Sequence, residues 1–166
     1  MTPQEAAAFL TAHDGYLILT HVRPDGDTIG CAAGLCRALR QAGKTAYLLE
    51  NPELTSLFTD YVEGLTAGKD FVPQTVVSVD IASRSLFPEN AKPYLDRVDL
   101  AIDHHLSQEF FAKATCLDSE RAACGQVVYD IVKQFTDVTP EIGEALYVAI
   151  GGLLQGNAGA DPLNLP

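Results

Sequence analysis

Apolar and polar positions alternate in blocks along this chain, and the blocks switch between two periods. Short apolar runs of five or six residues recur: "YLILT" at 16–20, "TAYLLE" at 45–50, "TVVSVD" at 75–80 and "VDLAID" at 98–103. Each is too short for a buried helix and lies between polar or glycine-bearing segments, so each reads as a buried strand. "KATCL" at 113–117 reads as a fifth. Helical spacing fills the gaps. Thr2-Pro3-Gln4-Glu5 is a capping box with proline at the first helical position, predicting a helix to about Ala12. Asp27 or Thr28 is expected to cap a second helix, with small residues Ala32, Ala33 and Gly34 for close packing and Gly43 as its stop. Residues 52–70 read as a short helix and loops. Val127, Val128, Ile131 and Val132 predict a helix within 122–135, and Thr139-Pro140-Glu141 opens another, with Ile142, Leu146 and Ala149 on one face.

Strands alternating with helices predict an α/β fold around a Rossmann-like, mostly parallel β-sheet flanked by helices. In such folds, polar residues at the carboxyl ends of the strands face the ligand crevice. The first strand runs into His21, Asp25 and Asp27; the third ends at Asp80; the fourth ends at Asp103-His104-His105. Carboxylates and imidazoles from three strands would therefore meet at one edge. Taken alone, Asp27 reads as a helix cap and a lone histidine as structural. Together, like charges drawn out of water repel unless cations neutralise them. Mixed nitrogen and oxygen donors suit first-row divalent ions better than calcium. Two ions about 3.5–4 Å apart could share a carboxylate, activate a water and neutralise a phosphoryl group. Without metal, the clustered carboxylates are expected to raise one another's pKa while neighbouring imidazoles stay protonated.

Composition narrows the partners. The chain has 166 residues, 47% hydrophobic and 20% charged, in keeping with one soluble domain. Its net charge of −11 disfavours binding a duplex nucleic-acid backbone without help from cations. No signal peptide and no membrane span are expected. Cys31, Cys36, Cys116 and Cys124 form no C-x-x-C pair and suggest free thiols in a reducing cytoplasm.

"HVRPDGDTIG", "VSVDIAS" and "AIDHH", in that order and at these separations, resemble the DHH phosphoesterase family. The likeness is to its branch of exopolyphosphatase-related proteins, oligoribonucleases and pAp phosphatases, over about residues 12–150. The resemblance implies hydrolysis of small phosphate esters or phosphodiesters, with two Mn2+ ions, or Mg2+ or Co2+ in their place. By the same resemblance His21 and Asp25 would hold one ion, Asp27 and His104 the second, and Asp80 would bridge them. Asp103 would support the site and His105 would contact the substrate phosphate. Small nucleotides or short oligoribonucleotides would be the substrates, and a homodimer is an open alternative to a monomer.

The pattern then breaks. The family carries a fourth motif, T-D-T-G-x-F-R, after the helix at 140–150, whose aspartate completes the second ion's site; here "GGLLQGNAGADPLNLP" follows, with Leu153 near the expected position. Residues 1–150 thus read as the catalytic domain and 151–166 as an atypical tail, truncated, degenerate or read out of frame, expected to run as irregular coil. The family's second, substrate-binding domain is expected to be missing. The competing reading is a non-catalytic metal- or nucleotide-binding remnant, or a dimerisation module.

Overall fold

The short apolar runs pair as one parallel sheet. Strands β1 (Tyr16–Leu19), β2 (Ala46–Leu48), β3 (Thr75–Val79), β4 (Leu100–Asp103) and β5 (Ala114–Leu117) lie in the order β2-β1-β3-β4-β5. All four pairings are parallel. The structure, a computed structural model, describes residues 1–156, with side chains to Gly151. Strands covered on both faces lose the apolar–polar alternation, and β1, β3 and β4 are buried at every position.

Among the described residues five α-helices accompany the sheet: α1 (Pro3–Ala12), α2 (Gly26–Gln41), the single turn α3 (Thr59–Val62), α4 (Cys124–Val132) and α5 (Pro140–Gly156). One face of the sheet, carrying Tyr16, Ile18, Val77, Val79 and Ile102, packs with residues of α1, α2, α4 and α5. On the other, Leu17, Leu19 and Val76 meet Phe87, Ala91 and Val98. That second layer has 3₁₀ turns at Arg84–Leu86 and Glu89–Arg97 in place of a regular α-helix. Pro93 lies inside the longer one, where it supplies no backbone N–H.

Helix α1 begins on the expected box: Thr2 Oγ1 accepts from the Glu5 N–H and Glu5 Oε2 accepts from the Thr2 N–H. Gly43, at φ +81°, ends α2 as read, since only glycine takes that backbone at little cost. The start of α2 differs from expectation. Its N-cap is Asp25, not Asp27 or Thr28: an N-cap must be extended, and Asp25 is (φ −101°, ψ −173°) while Gly26 is already helical. The Asp25 carboxylate accepts from the Asp27 and Thr28 N–H groups at 3.0 and 3.1 Å. The tail also differs. Helix α5 continues through Gly156, so residues 151–156 are helical and not irregular coil; residues 157–166 lie outside the described residues.

Helix α5 seats against α2 and α4 on a seam of small residues. A Cβ on Gly30 would stand 2.4 Å from the Ala145 carbonyl oxygen and 2.5 Å from the Ala149 nitrogen. One on Gly34 would stand 2.8 Å from Leu146, and one on Gly125 would stand 2.6 Å from the Ala149 Cβ. At Gly30 the obstacle is backbone and cannot rotate away. Overpacking of this kind costs roughly 1–3 kcal/mol. Gly30→Ala is therefore expected to lower the melting temperature by about 3–10 °C, read by thermal unfolding; an unchanged melting temperature would show that the helices can part without cost.

Candidate metal centre

The β2-β1-β3 order reverses direction between β1 and β3, which places a crevice at the carboxyl ends of those strands. Each wing of the crevice is delivered by a strand end. β1 passes through the buried Thr20 to His21, and Asn51 Nδ2 ties this exit down by donating to Thr20 Oγ1 (2.9 Å) and to the His21 carbonyl (2.8 Å). β3 passes to Asp80, whose N–H still donates to Ile102 of β4 at 2.9 Å. Asp80 itself sits at φ +59°. A left-handed backbone outside glycine costs on the order of 1–3 kcal/mol, least for Asp and Asn. β4 ends in Asp103 and hands over directly to His104 and His105.

These ends converge on the Asp80 carboxylate. Its Oδ2 lies 3.7 Å from His21 Nε2. Its Oδ1 lies 3.5 Å from His104 Nε2 and 3.6 Å from His105 Nδ1. Around the rim, His21 Nε2 is 3.6 Å from Asp25 Oδ1 and His104 Nε2 is 3.7 Å from Asp27 Oδ2. Two groups of side chains could each hold a metal ion, His21 with Asp25 and Asp80, and Asp80 with His104 and His105. Asp80 belongs to both.

The imidazoles are oriented for ligation. A carbonyl can only accept, so His21 Nδ1 donates to the Val22 carbonyl (2.6 Å) and His104 Nδ1 to the Arg121 carbonyl (3.1 Å). Each ring then presents an unprotonated Nε2 when neutral, the arrangement metal-binding histidines commonly show. Asp80 is 3% exposed, and its Oδ1 has no hydrogen-bond partner among the described residues. Burial, then the carboxylates of Asp27, Asp25 and Asp103, push its pKa up to about 10. A buried carboxylate with an orphaned oxygen between two imidazoles is suited to a cation, and the donor set fits a divalent ion.

The carboxylates do not all shift together. Asp25, expected to rise with the others, is lowered, because the His21 imidazole beside it favours the charged form and outweighs burial. Asp27 is raised by burial, opposed by the N–H groups of Cys124 and Gly125. Burial pulls the His21 pKa down, but Asp25 and the Val22 carbonyl outweigh it and leave it raised.

Asp103 is wholly buried and stands behind the cluster. Its Oδ1 accepts from the His104 N–H (2.8 Å) and from His105 Nδ1 (2.7 Å), while Oδ2 accepts from Gln108 Nε2 at 2.5 Å. His105 is thereby fixed through Nδ1, and its pKa is raised chiefly by that bond to Asp103. Asp27 accepts from the Cys124 and Gly125 N–H groups at 2.8 and 2.9 Å, at the start of α4, and from the Cys31 thiol at 3.3 Å. The structure thus brings His21, Asp25, Asp27, Asp80, Asp103, His104 and His105 to one edge. Sequence reading missed Asn51, Gln108 and Gly125. Nothing local marks Gly125 as the donor that reaches Asp27. Positions 152–154, where the resemblance places a further aspartate, lie within α5.

The model of the DHH family, N-terminal domain, matches residues 16–150. The chain is 34% identical over 134 residues to the bifunctional oligoribonuclease and PAP phosphatase NrnA of Thermus thermophilus, covering 76% of this chain and 39% of that protein. It is 24% identical over 163 residues to the protein of the same name from Mycoplasma pneumoniae, covering 88% of this chain and 48% of that one. The chain therefore spans less than half the length of these two relatives. An exopolyphosphatase-related protein from Bacteroides fragilis shares the fold, with a TM-score of 0.73 and 20% identity over 93% of this chain and 50% of that chain.

The raised Asp80 pKa has a stability consequence. The folded metal-free chain keeps a proton on Asp80 up to about pH 10, whereas an unfolded aspartate loses it near about 3.9. This contribution is complete below the unfolded value and is lost as pH rises toward the folded one. Metal-free protein should therefore lose stability between neutral pH and pH 10. Asp80→Asn, which tolerates the left-handed backbone, should flatten that decline without lowering the melting temperature at pH 7. Parallel pH profiles for the two proteins would contradict a protonated Asp80.

Proposed function

The chain belongs to the DHH family, in its N-terminal domain, and on that premise we propose that it is a metal-dependent phosphoesterase acting on small nucleotides. One observation carries this reading: the buried Asp80 carboxylate, Oδ1 unpartnered, turns one oxygen to His21 and the other to His104. His21, Asp25 and Asp80 would hold one ion, and Asp80, His104 and Asp27 the second. Mn2+ is the proposed ion, with Mg2+ or Co2+ as substitutes, because imidazole and carboxylate together suit borderline to hard divalent cations. When bound, such a pair activates water and neutralises charge on a phosphoryl group.

The chain's own residues then have distinct tasks. His105, committed through Nδ1 to Asp103, keeps Nε2 for a phosphate oxygen, and its raised pKa favours the protonated, donating form. Asp103 positions that ring and the His104 backbone. Asp25 both caps α2 and faces His21, so the first wing is fixed to the helix start. Short oligoribonucleotides and pAp are the proposed substrates, supported by the names of the two relatives. An acidic chain of net charge −11 favours such small ligands over a duplex backbone. The four cysteines are free and buried, in keeping with the proposed cytoplasmic setting. Among the described residues no helix is long and apolar enough to cross a membrane.

The reading is tested in two steps. Mn2+ well above its dissociation constant should raise the melting temperature by about 5–10 °C, release protons, and do neither in Asp80→Asn. No thermal response in the unsubstituted chain would remove the metal centre. Hydrolysis of pAp and dinucleotides with Mn2+ should then be weak, since Gly152-Leu153-Leu154 stands where the family's fourth motif supplies an aspartate. Turnover should rise when the T-D-T-G motif is supplied at Gly152-Leu153-Leu154, within α5, together with a second domain. Metal binding with no turnover in either form would favour the alternative, a non-catalytic metal- or nucleotide-binding module.

A further inference from the structure

A second feature opens on the same sheet edge, on the side away from β4. A cavity of about 690 Å3 lies over the ends of β1 and β2, bounded by Thr20, Ile29, Leu48, Asn51 and the turn of α3. Its size falls in the range of small-ligand sites, about 300–1,000 Å3. It borders the metal centre directly: Thr20 precedes His21, and Asn51 bonds to both. Ile29 lies on α2 one turn beyond Asp25.

The lining has two chemistries. Ile29, Leu48, Leu54 and Val62 form an apolar wall, while Glu50, Asp60 and Glu63 carry carboxylates. No lysine, arginine or histidine is among the described residues that line it. Such a cavity repels phosphate and accepts a flat or weakly polar group rich in hydrogen-bond donors. The Thr20 hydroxyl, 3% exposed, accepts from Asn51, and its own proton has no acceptor among the described residues. In dinucleotide-binding doubly wound folds an acidic residue about 20 residues past the glycine-rich turn accepts from the ribose 2′-hydroxyl; the exposed Glu50, two residues past the end of β2, is placed to act likewise.

We propose that this cavity is the nucleoside subsite: the ribose hydroxyls donate to Glu50, the base lies on the apolar wall, and the phosphate extends across β1 toward Asp80. The assignment rests on the phosphoesterase reading for the identity of the ligand. It makes the cavity selective for ribose over deoxyribose, because the 2′-hydroxyl supplies a donor to a carboxylate that would otherwise stay solvated.

Adenosine, which carries no phosphate and needs no metal, separates this proposal from the metal-centre reading. Titration of the full isotopically labelled chain, followed by amide NMR shifts, should perturb Thr20, the 49–54 segment and the 59–66 segment. Loss of a hydrogen bond to a charged group weakens binding by about tenfold or more. Glu50→Gln, and 2′-deoxyadenosine in place of adenosine, should each show that loss. Thr66→Trp, which fills the cavity from an exposed rim position, should abolish the shifts while its unliganded spectrum stays folded. Asp80→Asn should bind adenosine as the unsubstituted chain does. Shifts confined to another surface, no shifts at millimolar adenosine, or equal affinities for ribose and deoxyribose would overturn the assignment, even where the Mn2+ response is intact.

Discussion

The centre depends on keeping one carboxylate out of water between two imidazoles. Asp80 meets three unfavourable terms at once: desolvation, the negative charge of Asp25, Asp27 and Asp103, and a left-handed backbone. A structural carboxylate would be satisfied by N–H donors, as Asp103 is. Asp80 instead keeps an oxygen unpartnered, and neutralises itself by holding a proton. A divalent cation would replace that proton and reverse two of the three terms. The site is thus destabilising in the metal-free chain for the same reason that it would bind metal well.

Strand order makes the meeting of these residues possible. β1 lies between β2 and β3, and β4 lies beyond β3, so the ends of β1, β3 and β4 are consecutive along one edge. The three sequence motifs are far apart in the chain, yet each needs only to follow its own strand to arrive. This is why the fold and the meeting of these seven residues at one edge were legible in the sequence. Apolar runs marked the strands, and the polar residues after them could go nowhere but the carboxyl edge.

What was not legible depended on long-range partners. Asp25 and Asp27 have equal local claims to cap α2; the choice is made by where the chain becomes helical after Pro24, and it leaves Asp27 free to meet α4. Gln108 looks like any loop glutamine until Asp103 Oδ2 is seen to accept from it. The second face of the sheet is covered by 3₁₀ turns, with Pro93 inside the longer one, and by single apolar residues such as Phe87 and Ala91. The length of α5 was misread because glycine-rich sequence lowers helical propensity without forbidding helix.

Asp27 shows how packing remote from the edge reaches the chemistry. Its carboxylate is buried, which favours the neutral acid, and the first N–H groups of α4 oppose this by donating to it. That opposition works only if the start of α4 is held within hydrogen-bond reach of α2. Helix α5 contributes to this by seating Ala149 against both Gly30 and Gly125, alongside the Cys124 thiol, which donates to the Ile102 carbonyl of β4 at 3.4 Å. Gly125 therefore serves twice, giving its N–H to Asp27 and leaving room for Ala149. A side chain at Gly30 or Gly125 would push α5 outward and draw the α4 N-terminus from Asp27. The carboxylate would then lose the donors that oppose the rise in its pKa. The small residues of this seam thus bear on the electrostatics of the Asp27 carboxylate.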